Sequence, residues 1–208
     1  MELPAKIFRD QKEPINNEVF EDRIFPAEKK SILPPNFIDQ KDDDSDDDSD
    51  DDFEDWENYA FCNISEITEG NEYTVFEEGA TVNDIMQGDI NDCYFLSAIG
   101  SLCSYKDFFE KLFYIQDISK NHYFGIYLFI NGKWKLVLLD DNFPCQTVDY
   151  YNKELCFGKS NQKELWVSLL EKAWAKINGS YARIGCKGFS KEAFDVLTEA
   201  YTEQIDMR

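Results

Sequence analysis

Gln87-Gly88-Asp89-Ile90-Asn91-Asp92-Cys93-Tyr94-Phe95-Leu96-Ser97-Ala98-Ile99-Gly100-Ser101-Leu102 is the stretch on which the reading of this chain turns. Its first residues include Gly, Asp and Asn, which favour a turn. From Tyr94 onward it is apolar with small residues interleaved, the pattern of a buried central helix. Asp92 stands where an N-cap is expected, which puts Cys93 in the first helical turn. A thiol there meets the positive end of the helix dipole and unpaired backbone N–H groups. Both favour the thiolate, the nucleophilic form. A lone cysteine in an apolar segment is more often a small packed hydrophobe, so position alone makes Cys93 a candidate and no more.

The surroundings narrow the possibilities. The net charge of −21 is extreme, but residues 42–57 carry ten Asp and two Glu, more than half of it. No basic stripe exists, which excludes nucleic acid as the expected partner, and an anionic membrane surface would repel the chain. No apolar run is long enough to span a bilayer, so no membrane insertion is expected. The N-terminus, Met1-Glu2-Leu3-Pro4-Ala5-Lys6, lacks the apolar run of a signal peptide. Cys62, Cys93, Cys103, Cys145, Cys156 and Cys186 are scattered without a CxxC pair. That spacing reads as free thiols in a reducing, cytoplasmic setting, where the sequons at Asn63 and Asn178 stay unmodified.

Residues 1–40 are polar, with isolated aromatics (Phe8, Phe20, Phe25, Phe37) and five prolines, and read as an extended arm that docks through those rings. Residues 41–52 are nearly all Asp. Such a run repels itself and buries nothing, so it reads as a disordered insert. It lacks the sixth-position Gly and closing Glu of an EF-hand loop. Ser45 and Ser49, each followed by three Asp, suit an acidophilic kinase. Residues 53–208 read as the globular part. Asp107 is placed as the cap of a short helix. Tyr123–Ile130 and Lys133–Leu139 flank Asn131-Gly132, the two-residue loop of a type I′ hairpin. Asp140-Asp141 is expected to end the second strand, with Pro144 blocking its continuation. Lys163–Asn178 has apolar residues at helical spacing and Gly179 ready to end it, and a last helix starts near Ser190. The order helix, hairpin, helix, helix argues α+β.

Several blocks, in this order, resemble the calpain family of papain-like cysteine proteases. They are Gln87-Gly88 with Asp92-Cys93-Tyr94-Phe95-Leu96; Gly125 through Trp134 to Asp140-Asp141-Asn142-Phe143-Pro144; Glu164-Leu165-Trp166 through Glu171-Lys172-Ala173-Trp174 to Gly179-Ser180-Tyr181; and Glu192 to Thr198. The earlier Phe20-Glu21-Asp22-Arg23-Ile24-Phe25-Pro26 is similar to that family's lead-in. The resemblance implies that 53–208 is the first subdomain of the protease core. It makes Cys93 the nucleophile, with the side-chain amide of Gln87 and the N–H of Cys93 donating to the oxyanion. It also implies a calcium site built from the carboxylates of Asp84 and Glu164 and carbonyls around Glu77 and Gly79, hard oxygen ligands of the kind calcium takes. Taken singly, Gln87 reads as a polar loop residue, Asp84 as a turn cap and Glu164 as a favourable helix-start acid.

Departures from the pattern carry equal weight. Asn91 stands for the family's Gly, Tyr94 for its Trp, and Thr198-Glu199-Ala200 for its Thr-Gly-Gly; Glu77 and Glu78 depart from its usual loop. The family's base His and orienting Asn belong to a second subdomain, which this chain would only begin. Its one histidine, His122, matches neither and reads as a strand-edge polar residue. The expectation is a calpain-like, calcium-dependent cysteine endopeptidase represented by its first catalytic subdomain and inactive alone. Its partner is then the second subdomain or another protein. The alternative is a non-catalytic calpain-fold binding or structural module in a larger assembly.

Overall fold

The computed structural model describes residues 20–35, 37, 55–67, 73–114, 123–148, 153–160, 163–186, 188–203 and 205. The expectations for the acidic insert 41–52 with Ser45 and Ser49, for the first part of the arm, and for His122 fall outside them.

The described elements, in chain order, are α1 (Lys29–Ile32), β1 (Ala60–Asn63), α2 (Ile64–Ile67), β2 (Ile85–Met86), α3 (Cys93–Leu102), α4 (Lys106–Phe109), β3 (Tyr123–Ile130), β4 (Lys133–Asp140), β5 (Asn142–Thr147), β6 (Lys153–Leu155), β7 (Lys159–Ser160), α5 (Trp166–Asn178), α6 (Tyr181–Gly185) and α7 (Ser190–Leu197). Short 3₁₀ turns cover Asp55–Asn58, Val82–Asp84 and Glu110–Leu112. The class is α+β. β3 and β4 form the expected hairpin, with Ile130 opposite Lys133. Asn131 and Gly132 take φ of 53° and 73°, the two left-handed positions a type I′ turn requires. β1, β5 and β6 make a separate antiparallel sheet with β5 in the middle, and β2 pairs with β7.

Two local expectations are refined. β4 ends at Asp140 as expected, but the chain turns there and re-enters extended structure as β5, with Pro144 opposite Phe61. Having no N–H to offer, Pro144 contributes its carbonyl, which accepts from the Cys156 N–H at 3.1 Å. Asp107 lies inside the first turn of α4, whose N-cap is Tyr105.

The larger departure concerns α5. Its apolar spacing predicts an amphipathic helix with a wet face, yet from Trp166 to Ile177 every residue is buried. It runs through the middle of the molecule, packed against the hairpin, β7 and α6. Burying each large apolar side chain contributes about 1.5–3 kcal/mol, so Trp166, Leu169, Leu170 and Ile177 make α5 the axis of the core. Its charged residues are buried too, and the lysines are paired. Lys172 Nζ donates to Asp140 Oδ1 at 2.6 Å, and Lys176 Nζ to Asp22 Oδ2 at 2.6 Å. Gly179 closes the helix at φ 101°.

Asp22 belongs to the arm. In the described part of that arm Phe25 is buried against the Tyr181 ring at 5.8 Å, and Phe20 lies 5.8 Å from the Tyr123 ring. The arm's register is also set by the buried Asp22–Lys176 pair and by the Asp22 N–H donating to Asp140 Oδ2.

The expectation of six free thiols is corrected as well. Cys62 on β1 and Cys145 on β5 are joined in a disulfide, with Cα atoms 6.1 Å apart. Cys93, Cys103, Cys156 and Cys186 are not in disulfides. The pairing of β1 with β5, invisible in the spacing of the cysteines, brings the two together.

Candidate active site

The loop before α3 is held by its own backbone and by a neighbouring loop. Gly88 runs so close to residues 156–157 that a Cβ there would lie 2.2 Å from the Cys156 carbonyl oxygen. The Asp89 N–H donates to that same carbonyl at 2.9 Å, and Asp89 Oδ2 accepts from the Tyr59 hydroxyl at 2.7 Å. Glycine is the residue that permits this approach. The turn therefore delivers the chain to α3 in one orientation.

Cys93 is the first residue of α3 and is exposed. At that position its N–H has no acceptor within the helix. Gln87 lies on the same loop, exposed, with its side-chain Nε2 donating to the Ile90 carbonyl at 3.0 Å. Thiol, free N–H and side-chain amide thus sit on one short segment, the set of groups that attacks a carbonyl and stabilises the resulting oxyanion.

Behind Cys93 the helix is anchored by Tyr94. Its hydroxyl donates to the Ile184 carbonyl at 3.1 Å and accepts from Trp174 Nε1 at 3.0 Å. Burial, helped by nearby Asp92 and Glu192, outweighs the Trp174 hydrogen bond and pushes this phenol up to about 12, so it stays a donor. The Phe95 ring stacks on Trp174 at 5.3 Å and 6°. The Tyr94 hydroxyl is thus donor and acceptor at once, tying the start of α3 to both α6 and α5.

Asp92 is found at the N-cap but does not cap: its side chain makes no hydrogen bond to the helix start. Its carboxyl is instead buried and turned toward Glu171 of α5. Glu171 was not singled out from sequence, yet a signal was there. It sits on the stripe of Val167, Leu170 and Trp174 at helical spacing, where an acid is out of place.

The carboxylates expected to hold a cation lie in a second cluster. Glu164 is buried; its Oε1 accepts from the Glu77 N–H at 2.6 Å, and its Oε2 from Trp166 Nε1 at 3.1 Å and the Ser160 hydroxyl at 3.3 Å. Asp84 is also buried, and its Oδ2 accepts from the Thr81 N–H at 2.9 Å and hydroxyl at 2.8 Å, closing a capping turn. Ile85 pairs with Ser160 across β2 and β7, which links the Asp84 turn to Glu164. Gly79 takes φ 97° in the same loop as Glu77. Among the described residues neither carboxylate is paired with a lysine or arginine, and no three His, Cys, Asp or Glu side chains gather as a metal cluster.

Comparison with known proteins places these features. A family model described as "Calpain family cysteine protease" matches residues 20–208. The chain is 31% identical to Calpain-A of Drosophila melanogaster over 198 residues, 93% of this chain and 21% of that protein. It is 36% identical to the Calpain-1 catalytic subunit of Mus musculus over 135 residues, and 40% identical to mouse Calpain-8 over 139. Those two matches cover 63% and 62% of this chain, and 18% of each relative. The chain therefore spans about a fifth of the length of these relatives. With a match that runs through both the docked arm and the Cys93 helix, the chain belongs to the calpain family of cysteine proteases.

Proposed function

We propose that residues 53–208 are the first catalytic subdomain of a calpain-type cysteine endopeptidase, with Cys93 as nucleophile and Gln87 as oxyanion donor. The observation that carries this reading is the exposed thiol on the first residue of α3, with the Gln87 amide on the preceding loop. Attack by the Cys93 sulfur on a peptide carbonyl would place negative charge on oxygen. The Cys93 N–H and the Gln87 Nε2 are the donors to receive it, once Nε2 exchanges its present Ile90 acceptor for the oxyanion. Proton removal from the thiol needs a base, and none of the described residues around Cys93 is a histidine. The chain alone is accordingly proposed to be inactive, and the base to come from a second subdomain or a protein partner. A reducing, cytoplasmic setting suits a working thiol.

Selective alkylation tests the nucleophile. Burial pushes the thiols of Cys103 and Cys156 up to about 12 each. Brief treatment of the native chain with iodoacetamide, followed by peptide mass spectrometry, is expected to modify Cys93 first and to leave Cys103 and Cys156 unmodified. Modification of Cys103 as fast as Cys93 would overturn the assignment and leave the non-catalytic module as the better reading.

The second cluster is proposed as a calcium site. Two buried carboxylates without a basic partner among the described residues, linked to the loop that carries Glu77 and Gly79, fit a hard dication. Asp84 and Glu164 would hold it, with carbonyls of Glu77 and Gly79. When bound, the ion would supply charge compensation and cross-link the 77–84 turn to Glu164. Calcium is expected to raise the melting temperature of the chain in a concentration-dependent way. Asp84→Asn should abolish that rise, and an equal rise in Asp84→Asn would remove the assignment.

A further inference from the structure

Asp92 and Glu171 are among the most deeply buried acids in the described structure, at 0% and 1% exposure. One precedes Cys93 directly; the other comes from the middle of α5. Glu171 Oε1 accepts from the Gly158 N–H at 2.8 Å, and Gly158 is so close that a Cβ there would lie 2.6 Å from that oxygen. The Ser168 hydroxyl donates to the Gly158 carbonyl at 2.8 Å, fastening the loop to α5 from its other side. Asp92 has no donor of its own: neither carboxyl oxygen finds a conventional hydrogen-bond partner, and Glu171 is the polar side chain it meets.

Two buried carboxylates facing each other repel strongly unless a cation or a proton lies between them. Among the described residues no side-chain cation is paired with either acid. Tyr94 on α3, Cys156 in the loop before β7 and Tyr181 on α6 are described titratable groups that face the pair, and burial keeps each of them neutral. Lys172, next to Glu171 in sequence, is engaged by Asp140 and by the Asn142 carbonyl. We propose that Asp92 and Glu171 share one proton in a buried carboxyl–carboxylate hydrogen bond that fixes the start of α3, and with it Cys93, against α5. Asp92 is then a positioning residue for the nucleophile, which rests on the reading of Cys93 given above.

The arrangement explains why Asp92 does not cap its own helix. Its carboxyl is used across the core, and the free N–H of Cys93 is left for an incoming oxyanion. Burial raises both acids, Glu171 well above the ordinary carboxylate range and Asp92 to about 7. The pair therefore retains one proton at neutral pH and takes up a second only as the pH falls.

Replacing either acid by its amide mimics the proton with a fixed N–H. In E171Q the new amide can donate to Asp92 while its oxygen keeps the Gly158 N–H. In D92N the new amide can donate to Glu171. Difference infrared spectroscopy of the native chain at neutral pH is expected to show the carbonyl stretch of a buried protonated carboxyl, lost in both amide variants. Both should melt above E171A, which orphans Asp92 and the Gly158 N–H together. The pH profile of Cys93 alkylation should carry an inflection from the second protonation of the pair, absent in D92N and moved to lower pH in E171Q. Absence of the acid band in the native chain, or its persistence in both variants, would overturn the shared proton. A profile unchanged in D92N would overturn the positioning role. Neither readout requires peptide hydrolysis, so failure of the chain to act as a protease leaves this test intact.

Discussion

Lys172→Met is expected to lower the unfolding free energy by about 3–5 kcal/mol, the cost of leaving a buried partner charge uncompensated. Lys172 is 0% exposed and donates to Asp140 Oδ1 at 2.6 Å, to the Asp140 carbonyl at 2.9 Å and to the Asn142 carbonyl, with its ammonium 5.0 Å from the centre of the Phe143 ring. Methionine preserves the stem but provides none of the donors. The Asp140 carboxylate would remain buried, with only the N–H groups of Asp22 and Asn142 to solvate it. The effect should carry a pH signature. Burial opposes ionisation of Asp140, but the Lys172 ammonium, its hydrogen bond and those two N–H groups outweigh it and hold the carboxyl below its ordinary value. A carboxyl lowered in the folded state contributes stability that is complete above its unfolded value and is lost as the pH falls through the folded one. The gap between Lys172→Met and the parent, measured by urea titration, should therefore be widest near neutrality and narrow toward acid pH. A gap below about 1 kcal/mol at neutral pH would mean that the pair is not desolvated as the structure has it. Pairing Lys172→Met with Asp140→Leu should recover part of the loss, because an apolar pair of similar volume needs no desolvation.

That network also shows what the sequence could and could not convey. The hairpin was legible because Asn131-Gly132 is a local signal: two residues set the turn, and the turn sets the register of β3 and β4. The ends of α5 and α7 were legible for the same reason, through Gly179 and the residues around Ser190. Cys93 at the start of α3 followed from the change of pattern at Tyr94. What stayed hidden depends on long-range partners. Lys172, Lys176 and Glu171 look like the polar face of an amphipathic helix until Asp140, Asp22 and Asp92 are brought to them from 32, 154 and 79 residues away. The same holds for β5. Pro144 argues locally against a strand, and only the approach of β1 and β6 on either side makes it one. At the candidate site, the stretch from Gln87 to Cys93 was readable as a unit, whereas the use of the Asp92 carboxyl required knowledge of which face of α5 turns toward it.

Reduction of the Cys62–Cys145 bond is expected to have the next largest effect. The bond joins positions 83 residues apart, and in the chain-entropy account closing a loop of that length removes about 4.5 kcal/mol of unfolded-state freedom, within the usual range of about 2–5 for a native disulfide. The Cα separation of 6.1 Å falls in the normal span for a disulfide, and both residues lie inside paired strands, with Cys62 opposite Phe143 and Cys145 opposite Ala60 and Leu155. The sheet thus holds the two side chains near each other without the bond, and the folded structure should survive reduction with its stability lowered. The measurement is a pair of urea titrations with and without dithiothreitol, alongside Cys62→Ser. The serine variant should match the reduced parent and be insensitive to the reductant. Peptide mapping without reduction should recover Cys62 and Cys145 in one linked species. Identical urea midpoints with and without reductant, together with unlinked peptides, would return both residues to the free thiols expected from their spacing. The bond also bears on the setting in which Cys93 works. A reductant strong enough to keep that exposed thiol free meets the Cys62–Cys145 bond only where both cysteines are 2% exposed, and burial of that depth slows thiol exchange. A chain with a reduced nucleophile and an intact clip is therefore the state expected under mild reducing conditions.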